Sequence, residues 1–268
     1  MRARLSVRDS PVTFVDARLS FMNDTNTTRD DEVLDIAELG TVLGIWAHPD
    51  DETYLTGGLC ARLRDHGHRV VCVTATRGEA ADPAAGPEAR DALAAVRTSE
   101  LEGALAMLGV SEHHWLDLPD GGCSDVPPSE PVERLTYLLN EVQPTTVITF
   151  GPDGFTGHPD HRTISSWVDL AVRHSSATTR ALHPVAPPEP ADAQLDEDFG
   201  VFELGRPRIC TAEEMVVRLP LTGPELDRKV EALKHQVSQT ADLIAAVGIE
   251  RFRAWVSTEY LAEPDPHA

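Results

Sequence analysis

The stretch TVLGIWA (41–47), followed at once by HPDDE (48–52), decides how this chain is read. A continuous apolar run of strand length predicts a strand buried on both faces. The polar cluster after it gives way to Leu55, Leu59 and Leu63, whose spacing by four predicts a helix. RVVCVTA (69–75), entered through Gly67, reads as a second buried strand. From about Pro87 to Leu108 the spacing of Leu93, Val96, Leu101, Leu105 and Leu108 makes an amphipathic helix stopped by Gly109.

Working outward, HHWLDL (113–118) reads as a third strand. A helix over Val132, Leu135, Leu138, Leu139 and Val142 ends before Pro144, and TTVITF (145–150) is another buried strand. A helix from Asp160 to His174, a strand at MVVRL (215–219), a helix from Pro224 to Val247 and a short one from Phe252 to Val256 follow. HPVAPPEPADAQLDEDFG (183–200) is Pro-rich and acidic, and is expected as a surface loop without regular structure, a lid or wall for the site. Alternating helices and fully apolar strands predict a doubly wound α/β fold with a mostly parallel sheet. Such sheets carry their sites at the carboxyl ends of the strands, where the strand order reverses. Residues 1–38, polar and acidic, are expected as an arm or edge segment, and 39–268 as a single domain.

Composition excludes some partners. Twenty-three Lys and Arg against 44 Asp and Glu give a net charge of −21 over 268 residues, and the only lysines are Lys229 and Lys234. Binding to nucleic acid or to an anionic bilayer needs clustered basic side chains, and no basic run occurs. The N-terminus has no apolar core of signal-peptide length, and no stretch approaches about 18 uninterrupted apolar residues. Cys60, Cys72, Cys123 and Cys210 lack CxxC spacing and read as reduced buried thiols, which suits a cytoplasmic location. Nothing in the sequence speaks against self-association.

His48-Pro49-Asp50-Asp51-Glu52 supplies one imidazole and three carboxylates at a strand end. His48 and Asp51 can converge on one point while Asp50 projects elsewhere, and such N/O donors suit zinc or ferrous iron. The same five residues also make a plausible strand-to-helix turn in which an aspartate caps the helix. The second cluster, Gly157-His158-Pro159-Asp160-His161, again follows a buried strand through a short loop. If strands 41–47 and 145–150 are neighbours, both loops meet over one crevice and His161 completes a His/Asp/His set. Three protein ligands leave positions open, as in catalytic metal sites. The remaining histidines read as surface or packing residues.

AHPDDE (47–52) and GHPDHR (157–162), in this order and each after a strand, resemble the two signature motifs of the PIG-L/LmbE-like N-deacetylases. The resemblance covers residues 40–175 closely and reaches loosely to about 260. It implies a Rossmann-like three-layer α/β/α sandwich and a zinc-dependent hydrolase that removes acyl groups from amino sugars. It also implies metal ligation by His48, Asp51 and His161, a general base in Asp50, and in His158 a protonated imidazole that polarises the carbonyl and then protonates the leaving amine. Asp160 is implied as an orienting partner of a neighbouring imidazole. Thr76-Arg77-Gly78-Glu79 is similar to the family's TxGE turn, and Arg97 with Glu100 to its Arg-x-x-Glu pair. Arg97 and Asp120 are thereby candidate substrate contacts.

The chain departs from mycothiol-pathway members in having Thr156 where they carry tyrosine. Lys229 and Gln239 match the family's C-terminal helix, but Gln236 stands at its histidine position, with His235 one step early. Two other readings remain: an amidase cleaving a thiol-conjugate pseudodisaccharide, and a non-catalytic nucleotide-binding Rossmann module. The second lacks a GxGxxG after the first strand.

Overall fold

The structure, a computed structural model, describes residues 36–266. After a 3-10 turn at Ile36–Leu39, the order is β1 (Val42–Trp46), α1 (Asp51–Asp65), β2 (Val70–Thr76), α2 (Pro87–Met107) and β3 (Glu112–Leu118). Then come α3 (Ser129–Val142), β4 (Thr146–Ile148), α4 (Pro159–His174), β5 (Arg180–Pro184), α5 (Ala193–Asp198), β6 (Met215–Pro220), α6 (Gly223–His235), α7 (Val237–Val247), α8 (Ile249–Trp255) and β7 (Thr258–Ala262). The arm expected over 1–38 falls almost wholly outside the described residues.

The seven strands form one sheet in the order β3-β2-β1-β4-β5-β7-β6. Pairing is parallel from β3 through β5, and β7 runs antiparallel to both its neighbours. The order reverses at β1, whose Val42, Leu43 and Gly44 face Thr146, Val147 and Ile148 of β4. Here the expected neighbours meet. α1, α2 and α6 pack together, as do α3 and α4, in the layered arrangement of a Rossmann-like sandwich.

Local chemistry explains most of the boundaries. β1, β2 and β4 are buried at every position, which is why their sequences read as uninterrupted apolar runs. α2 begins with Pro87 in its first turn, and α3 ends at Gln143 in the left-handed region, just before Pro144. Trp46 packs edge-on against Phe150 at 5.4 Å between ring centroids, so β1 and the segment after β4 share one core.

Three expectations need correction. The stretch 183–200 is not free of regular structure: His183 and Pro184 close β5, and Ala193–Asp198 forms α5, whose cap Asp192 accepts the Leu195 N–H at 2.9 Å. The helix predicted over 224–247 is two helices. It breaks at Gln236 (ψ 57°), whose buried side chain turns inward and donates to Glu52 Oε1 at 3.0 Å and Thr53 Oγ1 at 3.1 Å. Strands β5 and β7 were not predicted, because Arg180, His183, Pro184 and Glu259 break any apolar run there.

One charged pair lies deep in this frame. Lys229 Nζ, 1% exposed, sits 2.8 Å from Glu259 Oε1 and donates to the Tyr54 carbonyl at 2.8 Å. Glu259 also accepts the backbone N–H groups of Gly58 and Leu59 at 2.7 and 2.8 Å. The pair therefore ties α6, β7 and α1 together. Removing one partner leaves the other buried and uncompensated, so Lys229→Met is expected to lower unfolding free energy by about 3–5 kcal/mol in a urea titration.

Candidate active site and metal centre

The site lies at the carboxyl ends of β1 and β4. His48 Nδ1 is 3.1 Å from His161 Nε2, and the Asp51 carboxylate approaches these nitrogens at 3.7 and 3.5 Å. Donors held about 2.0–2.2 Å from a tetrahedral ion stand roughly 3.3 Å apart, so this set matches the edges of such a polyhedron. Each donor is locally aimed. The His48 N–H donates to Asp51 Oδ2 at 2.8 Å. His161 Nδ1 donates to the Gly154 carbonyl at 2.9 Å, which leaves the Nε2 lone pair facing His48. The His161 ring stacks on Phe150 at 4.0 Å, with 11° between the planes.

Behind His48 stand two carboxylates. Its Nε2 lies 3.1 Å from Asp120 Oδ1 and 3.3 Å from Asp160 Oδ2. Asp160, fully buried, also accepts the N–H groups of Gly121 at 2.7 Å and Cys123 at 3.1 Å. Asp120 accepts the Ala80 N–H at 2.7 Å and donates its own N–H to Glu79 of the TRGE turn at 2.9 Å. Asp120 is therefore placed behind a metal-facing histidine, contrary to the substrate contact expected of it.

The electrostatics call for a cation. Burial alone would lower the pKa of His48, but the hydrogen bonds from Asp120 and Asp160 and the charge of Asp51 carry it up to about 10. Burial also opposes ionisation of Asp120, yet the hydrogen bond and charge of His48 bring it down to about 2. His161 is lowered to about 4, chiefly by burial, and so presents a neutral nitrogen. Positive charge at the His48 Nδ1 position, from a proton or an ion, offsets these carboxylates. The donor set fits a divalent metal.

Asp50 points away from this convergence. It stands before α1 with φ 113°, makes no side-chain cap bond, and so does not act as the helix-capping residue of a plain turn. Its carboxylate lies 3.3 Å from Arg97 Nη2. Burial pushes its pKa up to about 7, although Arg97 pulls the other way. Arg97 is only 4% exposed, and it spends its donors on the carbonyls of Pro49 at 2.5 Å and Gly78 at 2.9 Å. That placement corrects the expected substrate contact: Arg97 holds the Asp50 turn from behind. Gly78 has φ +68°, and a Cβ there would meet Arg97 Nη1, so the TRGE turn requires glycine for both reasons.

His158 begins α4 as a true cap, its Nδ1 accepting the Asp160 N–H at 3.2 Å. The proton therefore sits on Nε2 and the ring is neutral. Burial, reinforced by the charge of His48, lowers its pKa. This corrects the expectation of a protonated imidazole. Its ligating nitrogen lies within 4.8 Å of those of His48 and His161, at the edge of the same convergence. Gly157, with φ +79°, leaves no room for a Cβ against the Leu204 and Gly205 backbone, which packs the 200–205 loop onto the second motif.

A cavity of about 320 Å³ opens beside the metal-facing Asp51 and His161. Its walls include Tyr54, Phe155, Phe202 and Trp255, and segment 184–191 contributes as well, in keeping with the wall expected of that stretch. Sequence reasoning did not single out these aromatic residues. They come from four separate segments and share no spacing.

The family model described as GlcNAc-PI de-N-acetylase (PIG-L) matches residues 43–172. The protein of Kineococcus radiotolerans named 1D-myo-inositol 2-acetamido-2-deoxy-alpha-D-glucopyranoside deacetylase is 37% identical over 169 residues, 53% of this chain and 44% of that one. This match thus spans less than half the length of that relative. The protein of the same name in Actinosynnema mirum is 31% identical over 222 residues, 74% of this chain and 75% of its own. Among solved structures, the N,N'-diacetylchitobiose deacetylase of Pyrococcus horikoshii superposes with a TM-score of 0.58 at 24% identity, covering 86% of each chain, which shows the shared fold. With both motif loops meeting at one crevice and a relative matched over three quarters of its length, this chain belongs to the PIG-L family.

Proposed function

We propose that the chain is a divalent-metal-dependent hydrolase that removes an N-acyl group, acetyl being the simplest, from an amino sugar or amino-sugar conjugate. Zinc is the ion proposed, with ferrous iron compatible with the same donors. The observation that carries this reading is a division of labour: His48, Asp51 and His161 converge, while Asp50 and His158 flank them without being drawn into the set. The names of the matched relatives support an acetamido sugar as the substrate class. A cytoplasmic location belongs to the same reading, supported by four buried free cysteines. No helix among the described residues is long and apolar enough to cross a membrane.

Amides hydrolyse slowly because water is a weak nucleophile and an amine anion a poor leaving group. When bound, the ion supplies Lewis acidity to the acyl oxygen and to the attacking water. Asp50, poised by burial and held by Arg97, takes a proton from that water as its oxygen bonds to the acyl carbon. His158 directs its Nε2–H at the oxygen that becomes negative, and then passes a proton to nitrogen as the carbon–nitrogen bond breaks. Asp50 returns the proton it took, so the products are a carboxylate and a free amine. Asp120 and Asp160 fix the His48 ring and hold it against Asp51 and His161.

Variants separate these roles. Asp50→Ala and His158→Ala are expected to keep one metal per chain by elemental analysis while turnover of an N-acetylglucosamine conjugate falls roughly 100-fold or more. His48→Ala and Asp51→Ala should lose the metal. Full activity of Asp50→Ala would sink the assignment of the base. Asp120→Asn, which removes charge behind His48, is expected to weaken metal affinity by about 10- to 100-fold in competition with a chelator.

A further inference from the structure

The cavity beside Asp51 and His161 has far more room than an acetyl group fills. A water-sized group takes about 30 Å³ of liquid volume, against about 320 Å³ here. Its wall is aromatic and aliphatic: Tyr54, Phe155, Phe202 and Trp255, with Val185 and Ala186 among the rest. Tyr54 and Trp255 meet at 5.8 Å between ring centroids, and Phe155 and Phe202 at 5.9 Å.

The acidic side chains lining this cavity already have partners. Asp196 accepts the Trp255 indole N–H at 3.0 Å, and Glu259 is held by Lys229 and two backbone N–H groups. A polyol entering such a chamber would lose its hydrogen bonds to water and find few replacements, a cost of some kcal/mol per group. Arg97, the cation that could have met a polar conjugate, is buried behind Asp50. The chamber is also held in shape, since Asp192, the cap of α5, binds Arg251 of α8 at 2.6 and 3.0 Å while Asp196 holds Trp255. A preformed apolar cavity of this size is the usual form of a site for a small molecule.

Resting on the deacylase reading above, we propose that this chamber selects amino-sugar substrates carrying an apolar group of about eight carbons, attached through the acyl chain or through the aglycone. Its continuity with two metal-facing residues makes it part of the reacting site, so occupancy by that group orients the amide.

The test compares kcat/KM of the metal-loaded protein for N-acetylglucosamine, N-octanoylglucosamine and octyl N-acetylglucosaminide. At least one octyl-bearing compound is expected to exceed N-acetylglucosamine by about tenfold or more, and the compound that does so tells the acyl route from the aglycone route. Phe202→Ala, which opens the wall, should reduce that ratio severalfold. Ala186→Trp should also reduce it by filling the chamber, since the Ala186 hydrogen bonds are made by its backbone. Equal kcat/KM values for all three compounds would overturn the proposal while leaving the deacylase reading intact. If none is turned over, the deacylase reading fails, and calorimetry with octyl glucoside decides the chamber separately. Binding with a negative heat-capacity change that Ala186→Trp abolishes supports it; no binding overturns it.

Discussion

Parallel pairing of β1 with β4 is the interaction on which the site depends. Parallel strands deliver their carboxyl ends to the same edge of the sheet, and at the reversal of strand order the loops that follow diverge to opposite faces, leaving a crevice between them. Here one loop begins with His48 and the other leads to His158 and His161. The pair is reinforced beyond its ladder: Thr149 Oγ1 donates to the Ile45 carbonyl at 2.8 Å, and the Thr145 N–H to the Thr41 carbonyl at 2.9 Å. A slip of one residue between these strands would turn the alternating side chains and separate His48 from His161.

Around that crevice, charge is arranged in depth. Two carboxylates face the far nitrogen of His48 and a third shares its near side with His161, so negative charge converges where the helix N-terminus of α1 and a bound cation can meet it. Asp50 occupies a backbone region unfavourable for a residue with a Cβ, at a cost on the order of 1–3 kcal/mol. That strain is sustained by hydrogen bonding on each side. Its N–H donates to Glu52 Oε2 at 3.1 Å, its carbonyl accepts from Thr53 and Tyr54, and Arg97 grips the preceding carbonyl. The strain turns one of two adjacent aspartates away from the metal, and so allows neighbours in sequence to take different roles.

Much of this was legible in the sequence, for identifiable reasons. β1, β2 and β4 are buried on both faces, so their composition alone marks them, and motif residues placed at strand ends can converge in few ways. The fates of Arg97 and Asp120 could not be read, because a charged side chain on a helix or in a turn has the same sequence appearance whether it meets substrate or another protein group. Gln236 likewise breaks a helix through a tertiary contact with Glu52, against a local pattern that favours continuity. β5 and β7 escaped because each pairs over only a few residues and contains a proline or charged side chains.

The antiparallel strand β7 has a further consequence. It lies between β5 and β6, yet it is built from residues 258–262, long after both neighbours in the chain. During synthesis β6 has no partner until this last strand emerges, and β5 has one open edge for the same interval. β7 also brings Glu259 to Lys229 and to the wall of the chamber. The half of the sheet carrying the motif loops can thus pair early through near-consecutive strands. The half that encloses the chamber closes by a late insertion, which leaves an unpaired strand edge exposed to other chains meanwhile.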